Sequence, residues 1–117
     1  MVFKFERLTV WQKALELSLG VHEVTRKFPR EELYILTSQI KRAADSVVLN
    51  IAEGSTGQTT PEFKQFLGYA VRSALEVVAC LHLGRKRGLV NERDFDRLYG
   101  QTEEVIKMIH GLRRSLN

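Results

Sequence analysis

Gln39, Arg42, Ser46, Asn50 and Glu53 follow one another at spacings of three, four, four and three residues. On an α-helix that rhythm lines them along one face. Two amides, a guanidinium, a hydroxyl and a carboxylate in one stripe can donate and accept hydrogen bonds in several directions. The stripe is either a solvated face or a polar network that joins helices or subunits. Asn50 bears on the choice, because it sits inside Val47-Val-Leu-Asn-Ile-Ala52. An amide in so apolar a run is expected to be at least half buried, and a buried amide needs partners. Ser73 and Glu76, on a later segment, are candidate partners.

A second group is cationic. Arg85, Lys86 and Arg87 lie near Arg93 and Arg97, and Lys107 lies near Arg113 and Arg114. Arg26-Lys27, Arg30 and Lys41-Arg42 add further positive charge. Each cluster either complements a helix C-terminus and aids solubility, or contacts phosphates with an affinity that falls steeply as salt rises.

Other chemistries lack their residues. A di-metal bundle centre needs Glu-x-x-His on two helices. Here the residue three before His110 is Lys107, before His82 it is Ala79, and before His22 it is Leu19. Cys80 lies in the apolar run Val77-Val-Ala-Cys-Leu81, where burial keeps a thiol inert. No Ser occupies a Gly-x-Ser-x-Gly elbow. Gly54 and Gly57 are not followed by Gly-Lys-Ser/Thr, so no phosphate loop is expected. The expectation is a protein with no catalytic residue, no metal and no cofactor.

Four segments position these groups. In the first, about 9–28, Val10, Ala14, Leu17, Val21, Val24 and Phe28 repeat at four and three, with Trp11, Leu15 and Leu19 widening the apolar face. The second, about 31–53, carries Leu36, Ile40, Ala43, Val47 and Ile51, with Gly54 as its C′ residue. Its first turn, Arg30 to Leu33, reads as a separate short turn. A linker, Gly54 to Thr60, follows, with Thr60 as N-cap and Pro61 at the first helical position. The third segment, about 60–87, repeats Phe63, Leu67, Ala70, Ala74, Val77 and Leu81 and ends at Gly88. The fourth, about 91–116, starts at Asn91 as N-cap and carries Phe95, Leu98, Thr102, Val105, Ile109, Leu112 and Leu116. Period-two alternation occurs only from Val2 to Phe5, which suggests a short extended arm within residues 1–8. The pattern predicts one all-α domain over 1–117, an antiparallel up-down-up-down four-helix bundle.

Val48, Leu49 and Ala52 flank the main stripe of the second helix, and Phe66, Tyr69, Leu75 and Val78 that of the third. One four-helix core needs less apolar perimeter than this, so an oligomer is expected. Length and composition fit one ordinary globular domain. The chain has 117 residues, 44% hydrophobic and 27% charged, with 18 Lys+Arg against 14 Asp+Glu and a formal charge of +4. One Cys excludes an intrachain disulfide and a Cys-based zinc cage. No apolar run suggests a membrane span, and charges within the first seven residues do not fit a signal peptide. A soluble protein of the cytoplasm is expected.

Several motifs resemble one family. They are Phe5-x-x-Leu8-x-Val-Trp11-Gln-Lys-Ala14, then Phe28-Pro29-x-Glu31-Glu32-x-Tyr34-x-Leu36-Thr-Ser-Gln39-Ile-x-Arg42-Ala-Ala44, with Ser46 and Asn50-Ile-Ala-Glu-Gly54. Ser73 and Glu76 fit a Gly-Ser-x-x-Glu motif, and Met108-x-x-Gly111-Leu112 fits the last helix. Together they look like the bacterial four-helix bundle proteins encoded in intervening sequences of large-subunit ribosomal RNA genes. The resemblance covers nearly the whole chain. It implies a ring, typically a homopentamer, and kinship with the accessory proteins of diversity-generating retroelements. Those basic pentamers associate with a reverse transcriptase and with nucleic acid. Three positions depart from the pattern: Ile35 stands for Gly, Val48-Leu49 for Pro-Ser, and Arg72 for the Gly before Ser73. Losing the Pro should make the second helix more regular. Arg72 puts a charge where the family has a small residue, which bears on close packing there.

The combined reading is a non-enzymatic ring scaffold that binds RNA or DNA, a nucleic-acid enzyme such as a reverse transcriptase, or both. Five copies would carry about +20, a scale at which whole-protein fields attract polyanions. Candidate phosphate contacts are Arg85, Lys86, Arg87, Arg93 and Arg97, then Arg72, Arg113 and Arg114. Gln39, Arg42, Ser46, Asn50, Glu53, Ser73 and Glu76 are the candidate polar network or subunit contact. The alternative is a protein–protein adaptor with incidental charge.

Overall fold

The computed structural model describes residues 3–57 and 59–116. Four long helices form it: α1 (Thr9–Thr25), α2 (Ser38–Gly54), α3 (Thr60–Lys86) and α4 (Glu92–Ser115). The described residues contain no strand. The molecule measures 44 × 24 × 22 Å. Helix α2 packs most extensively on α3, and α1 and α4 close the bundle against each other and against their chain neighbours.

The inward residues are those of the predicted stripes. Val10, Ala14, Leu17, Val21 and Val24 of α1 are buried, as are Ile40, Ala43, Val47 and Ile51 of α2. Phe63, Leu67, Ala70, Ala74, Val77 and Leu81 of α3 meet Phe95, Leu98, Val105 and Ile109 of α4. Thr102 is also fully buried, and its hydroxyl donates to the Leu98 carbonyl at 2.7 Å, so the core carries no unpaired hydroxyl there.

Several boundaries differ from the sequence reading. Helix α1 ends at Thr25, and a turn then buries Phe28, whose N–H donates to the Thr25 carbonyl at 3.0 Å. Leu15 and Leu19 are exposed rather than part of the buried face, because they lie past the edge of the stripe. The expected separate turn before α2 is present as a 3-10 turn, Arg30–Glu32, followed by a π-helical turn, Leu33–Thr37. Ile35, in the middle of that turn, has non-helical dihedrals (φ −118°, ψ −106°), which kink the chain before α2. Helix α2 then runs unbroken through Val48 and Leu49.

Among the described residues the expected arm is extended only at Phe3 before it winds into a 3-10 turn. Phe3 and Phe5 stack at 6.1 Å and Phe5 packs edge-on to Trp11 at 4.9 Å, around a 3-10 turn, Lys4–Arg7. Their alternation serves ring contacts rather than a strand. Val2, where the arm was to begin, lies outside the described residues, as do Met1, Gln58 and Asn117.

Caps and glycines set the helix ends. The N-cap of α3 is Thr59, one residue earlier than expected, and its hydroxyl accepts from the Glu62 N–H at 3.2 Å. Asn91 caps α4 as predicted, accepting from the Asp94 N–H at 2.8 Å. Gly54 is the last residue of α2, not a left-handed C′ residue. Its role is close approach, since a Cβ there would lie 2.6 Å from the Cβ of Phe66. Gly88 supplies the positive φ of 74° that turns the chain after α3.

Helix α3 corrects another reading. At 27 residues it is long and apolar enough, by length and composition, to cross a membrane. Its inward stripe is buried on α2 and α4, while Arg72 and Glu76 are exposed at mid-helix. Its apolar character is that of a bundle core helix.

Candidate functional site

Helices α2 and α3 hold the polar residues singled out in the sequence. Gln39 donates to the Glu76 carboxylate across the two helices. The Ser73 hydroxyl donates to Ser46 Oγ at 2.9 Å. Asn50 is half buried, as expected, but its amide bonds within α2, donating to the Ser46 carbonyl at 2.8 Å and to Ser46 Oγ at 3.0 Å. Besides the Gln39–Glu76 bond, the helices are therefore linked through Ser46, and Asn50 joins that link indirectly. Gln39, Arg42, Ala43, Ser46, Ser73 and Glu76 line one concavity of about 370 Å³. Glu53 lies outside it, exposed, with its carbonyl accepting from the Thr56 hydroxyl at 2.9 Å.

A second concavity shares Gln39 and Glu76 and continues toward the π-helical turn. Its wall is more apolar, with Tyr34, Ile35, Ala79 and Leu83. Tyr34 is 89% exposed and Ile35 57%. The α2–α3 face is thus a groove with a polar centre and an apolar end.

The cationic candidates do not form one bare patch. The Arg85 guanidinium stacks 3.7 Å from the Phe95 ring centroid and pairs with Glu92 at 3.6 Å. Arg87 pairs with Glu32 at 4.0 Å, and Arg97 with Asp94 at 3.6 Å. Carboxylates that face a cation cancel much of its long-range field. Among the described residues Lys86, Arg93, Arg72, Arg113 and Arg114 take part in no ion pair. Arg72 is exposed at mid-α3, so the charge there meets no close packing. Arg113 reaches toward Gly68, near the start of α3, far along the bundle from Arg85.

Asp94 organises the α4 end. Lys27 donates to it at 3.0 Å, and this hydrogen bond holds its carboxyl below the usual carboxylate range against the opposing effect of burial. Cys80 is buried, and burial, then the nearby Glu76 charge, push its thiol up, which disfavours the nucleophilic thiolate. Among the described residues no three His, Cys, Asp or Glu side chains gather to hold a metal ion.

One constellation was not read from the sequence. Ser18 donates to Asp45 at 2.6 Å, and His22 Nε2 lies 3.1 Å from the same oxygen. The i,i+4 spacing of Ser18 and His22 could have suggested a shared partner. Asp45 sits between the two, so this is no serine–histidine relay.

These features define an all-helical, four-helix protein with a polar groove and exposed apolar flanks. The chain belongs to the 23S rRNA-intervening sequence protein family, whose profile matches residues 6–111. Among solved structures it is similar to a protein of unknown function from the S23 ribosomal protein family of Bacteroides thetaiotaomicron VPI-5482. The two are 21% identical, with a TM-score of 0.83 over 90% of this chain and 95% of the other, a likeness of fold. No curated protein matches the chain.

Proposed function

We propose that the chain is a non-enzymatic, up-down-up-down subunit of a ring, typically a pentamer, that acts in the cytoplasm as a scaffold for nucleic acid or for a nucleic-acid enzyme. Helper to a reverse transcriptase of a diversity-generating retroelement is one concrete form. The order of side-chain pairs supports the up-down path: Gln39 meets Glu76 while Gly54 meets Phe66, and Lys13 meets Glu104 while Lys27 meets Asp94.

The observation that carries the scaffold reading is the apolar surface that one chain leaves open. In addition to Tyr34 and Ile35, Leu49 on α2 is 63% exposed, and Leu75 and Leu83 on α3 are also exposed. Each large apolar side chain, once fully buried, contributes roughly 1.5–3 kcal/mol. A subunit interface over the α2–α3 groove would bury several of them and enclose the Gln39–Glu76 and Ser46–Ser73 bonds. The net charge of +4, repeated around a ring, supports a polyanionic partner.

A second reading is a protein–protein adaptor without nucleic acid. The ion pairs of Arg85, Arg87 and Arg97 favour it, since they occupy the cations that looked most available. Binding to unspecific RNA and to duplex DNA, measured at low and high salt, separates the two. The scaffold reading expects binding that weakens steeply with salt. Absence of binding at low salt would leave the adaptor.

A further inference from the structure

We propose that the concavity where α1 hands over to α2 binds phosphates of a nucleic-acid strand, through Arg26, Arg30 and Lys41. This rests on the nucleic-acid part of the function proposed above, and it moves the contact away from the Arg85–Arg97 region. His22, Thr25, Arg26, Arg30, Thr37 and Lys41 line the concavity. The residues come from four elements: the end of α1 with the turn after it, the 3-10 turn, the π-helical turn with Thr37, and the first turn of α2 with Lys41. In the sequence they are separated by Pro29 and by the apolar stretch Leu33 to Leu36, so they do not read as one cluster.

Two observations together mark this site: its cations are uncompensated, as are Lys86, Arg93, Arg72, Arg113 and Arg114, and unlike those they line one concavity. Among the described residues, Arg26, Arg30, Lys41 and Arg42 take part in no ion pair, whereas Arg85, Arg87, Arg97 and Lys27 each hold a carboxylate. Asp45, the acid beside Lys41 and Arg42, is already engaged by Ser18 at 2.6 Å and His22 at 3.1 Å. The Thr25 hydroxyl donates to the His22 carbonyl at 3.0 Å and fixes the floor. An unpaired guanidinium is a strong donor to phosphate, and two of them beside an ammonium attract more than one negative charge.

The form suits a strand better than a single small anion. A second concavity adjoins the first, sharing Leu33, Thr37 and Lys41 and adding Tyr34, Ser38, Arg42 and the Asp45 carboxylate, so a strand would pass one acid among the cations. Cations therefore continue from Arg26 through Arg30 and Lys41 to Arg42. Arg26 and Arg30 are exposed, which gives a long polymer access. Contacts of this kind position a backbone without reading its bases, so binding should be insensitive to sequence.

The test uses fluorescence anisotropy with a fluorescein-labelled single-stranded RNA of mixed sequence and the full chain. Arg26→Gln/Arg30→Gln is compared with wild type and with Arg7→Gln/Lys13→Gln, which removes equal charge near the start of α1. Removing one cation from a phosphate lowers the salt slope by about 0.7, so the first variant should lower it by about 1.4 and weaken binding about tenfold at low salt. The control should stay within about twofold of wild type, the size expected when only distant charge changes. Circular dichroism verifies folding, and Lys41→Gln alone, expected to weaken binding about threefold, carries the test if the double variant loses structure. If wild type binds and both double variants weaken it equally, or neither does, the concavity is not the site and the scaffold reading stands. If wild type does not bind even at low salt, the nucleic-acid reading fails and this site fails with it.

Discussion

Ser46 is the hinge of the polar groove, because its one hydroxyl takes bonds from Asn50 on its own helix and from Ser73 across the interface. Ser46→Ala removes the hydroxyl acceptor for both, leaving Asn50 its bond to the Ser46 carbonyl and Ser73 without a partner. In urea denaturation it should cost about 1–2 kcal/mol, more than Asn50→Leu, whose loss leaves the Ser46–Ser73 bond in place. Equal effects of the two would place the energy in the amide. Asp94 makes a second prediction. Its folded carboxyl titrates below its ordinary value, so its stabilisation is fully present above the unfolded value of about 3.9. It is lost as the pH falls through that value and on through the lower folded one. Asp94→Asn should therefore be less stable than wild type at neutral pH, with the difference in melting temperature closing in acid. At this scale the sequence was half legible. Residue types and spacing located Gln39, Ser46, Ser73 and Glu76. The ion pairs that occupy Arg85 and Arg87 join different elements, and local spacing carries no record of them, whereas Arg97–Asp94 is an i,i+3 pair within α4 that the spacing alone could have suggested.

The helices follow from apolar periodicity, and their inward stripes are nearly all where the sequence places them. Ends are less legible, since they depend on tertiary contact. Pro29 suggested that the first helix reaches Phe28, yet the chain leaves α1 at Thr25 and still buries Phe28 in the turn. The π-helical turn before α2 has no sequence rule behind it, although Ile35 stands at its break. Gly54 looked like a C′ residue and is instead the point where α2 touches Phe66. Gly54→Ala should cost about 1–3 kcal/mol, because the new methyl would collide with α3 rather than relieve backbone entropy. A neutral or stabilising Gly54→Ala, read by thermal melting, would mean that the two helices can separate freely at this end.

For the whole molecule, the all-helical, four-helix fold stands in the structure and the family in the match over residues 6–111, while the proposed assembly rests on the surface. Leu49, Ile35 and Leu75 stand exposed on a single chain whose core is already complete. Leu49→Glu or Ile35→Glu should leave the helices folded and weaken self-association by roughly 1.5–3 kcal/mol for each apolar side chain that the interface buries. Sequence exposed the surplus of apolar residues but not which neighbours surround them. That required the groove, with its polar centre and its Tyr34–Leu83 end. Multi-angle light scattering on the full chain over a wide range of concentrations tests the central claim most directly. A ring scaffold predicts one species at a fixed integer multiple of the chain mass, near five, that persists on dilution. A monomer at every concentration would contradict it.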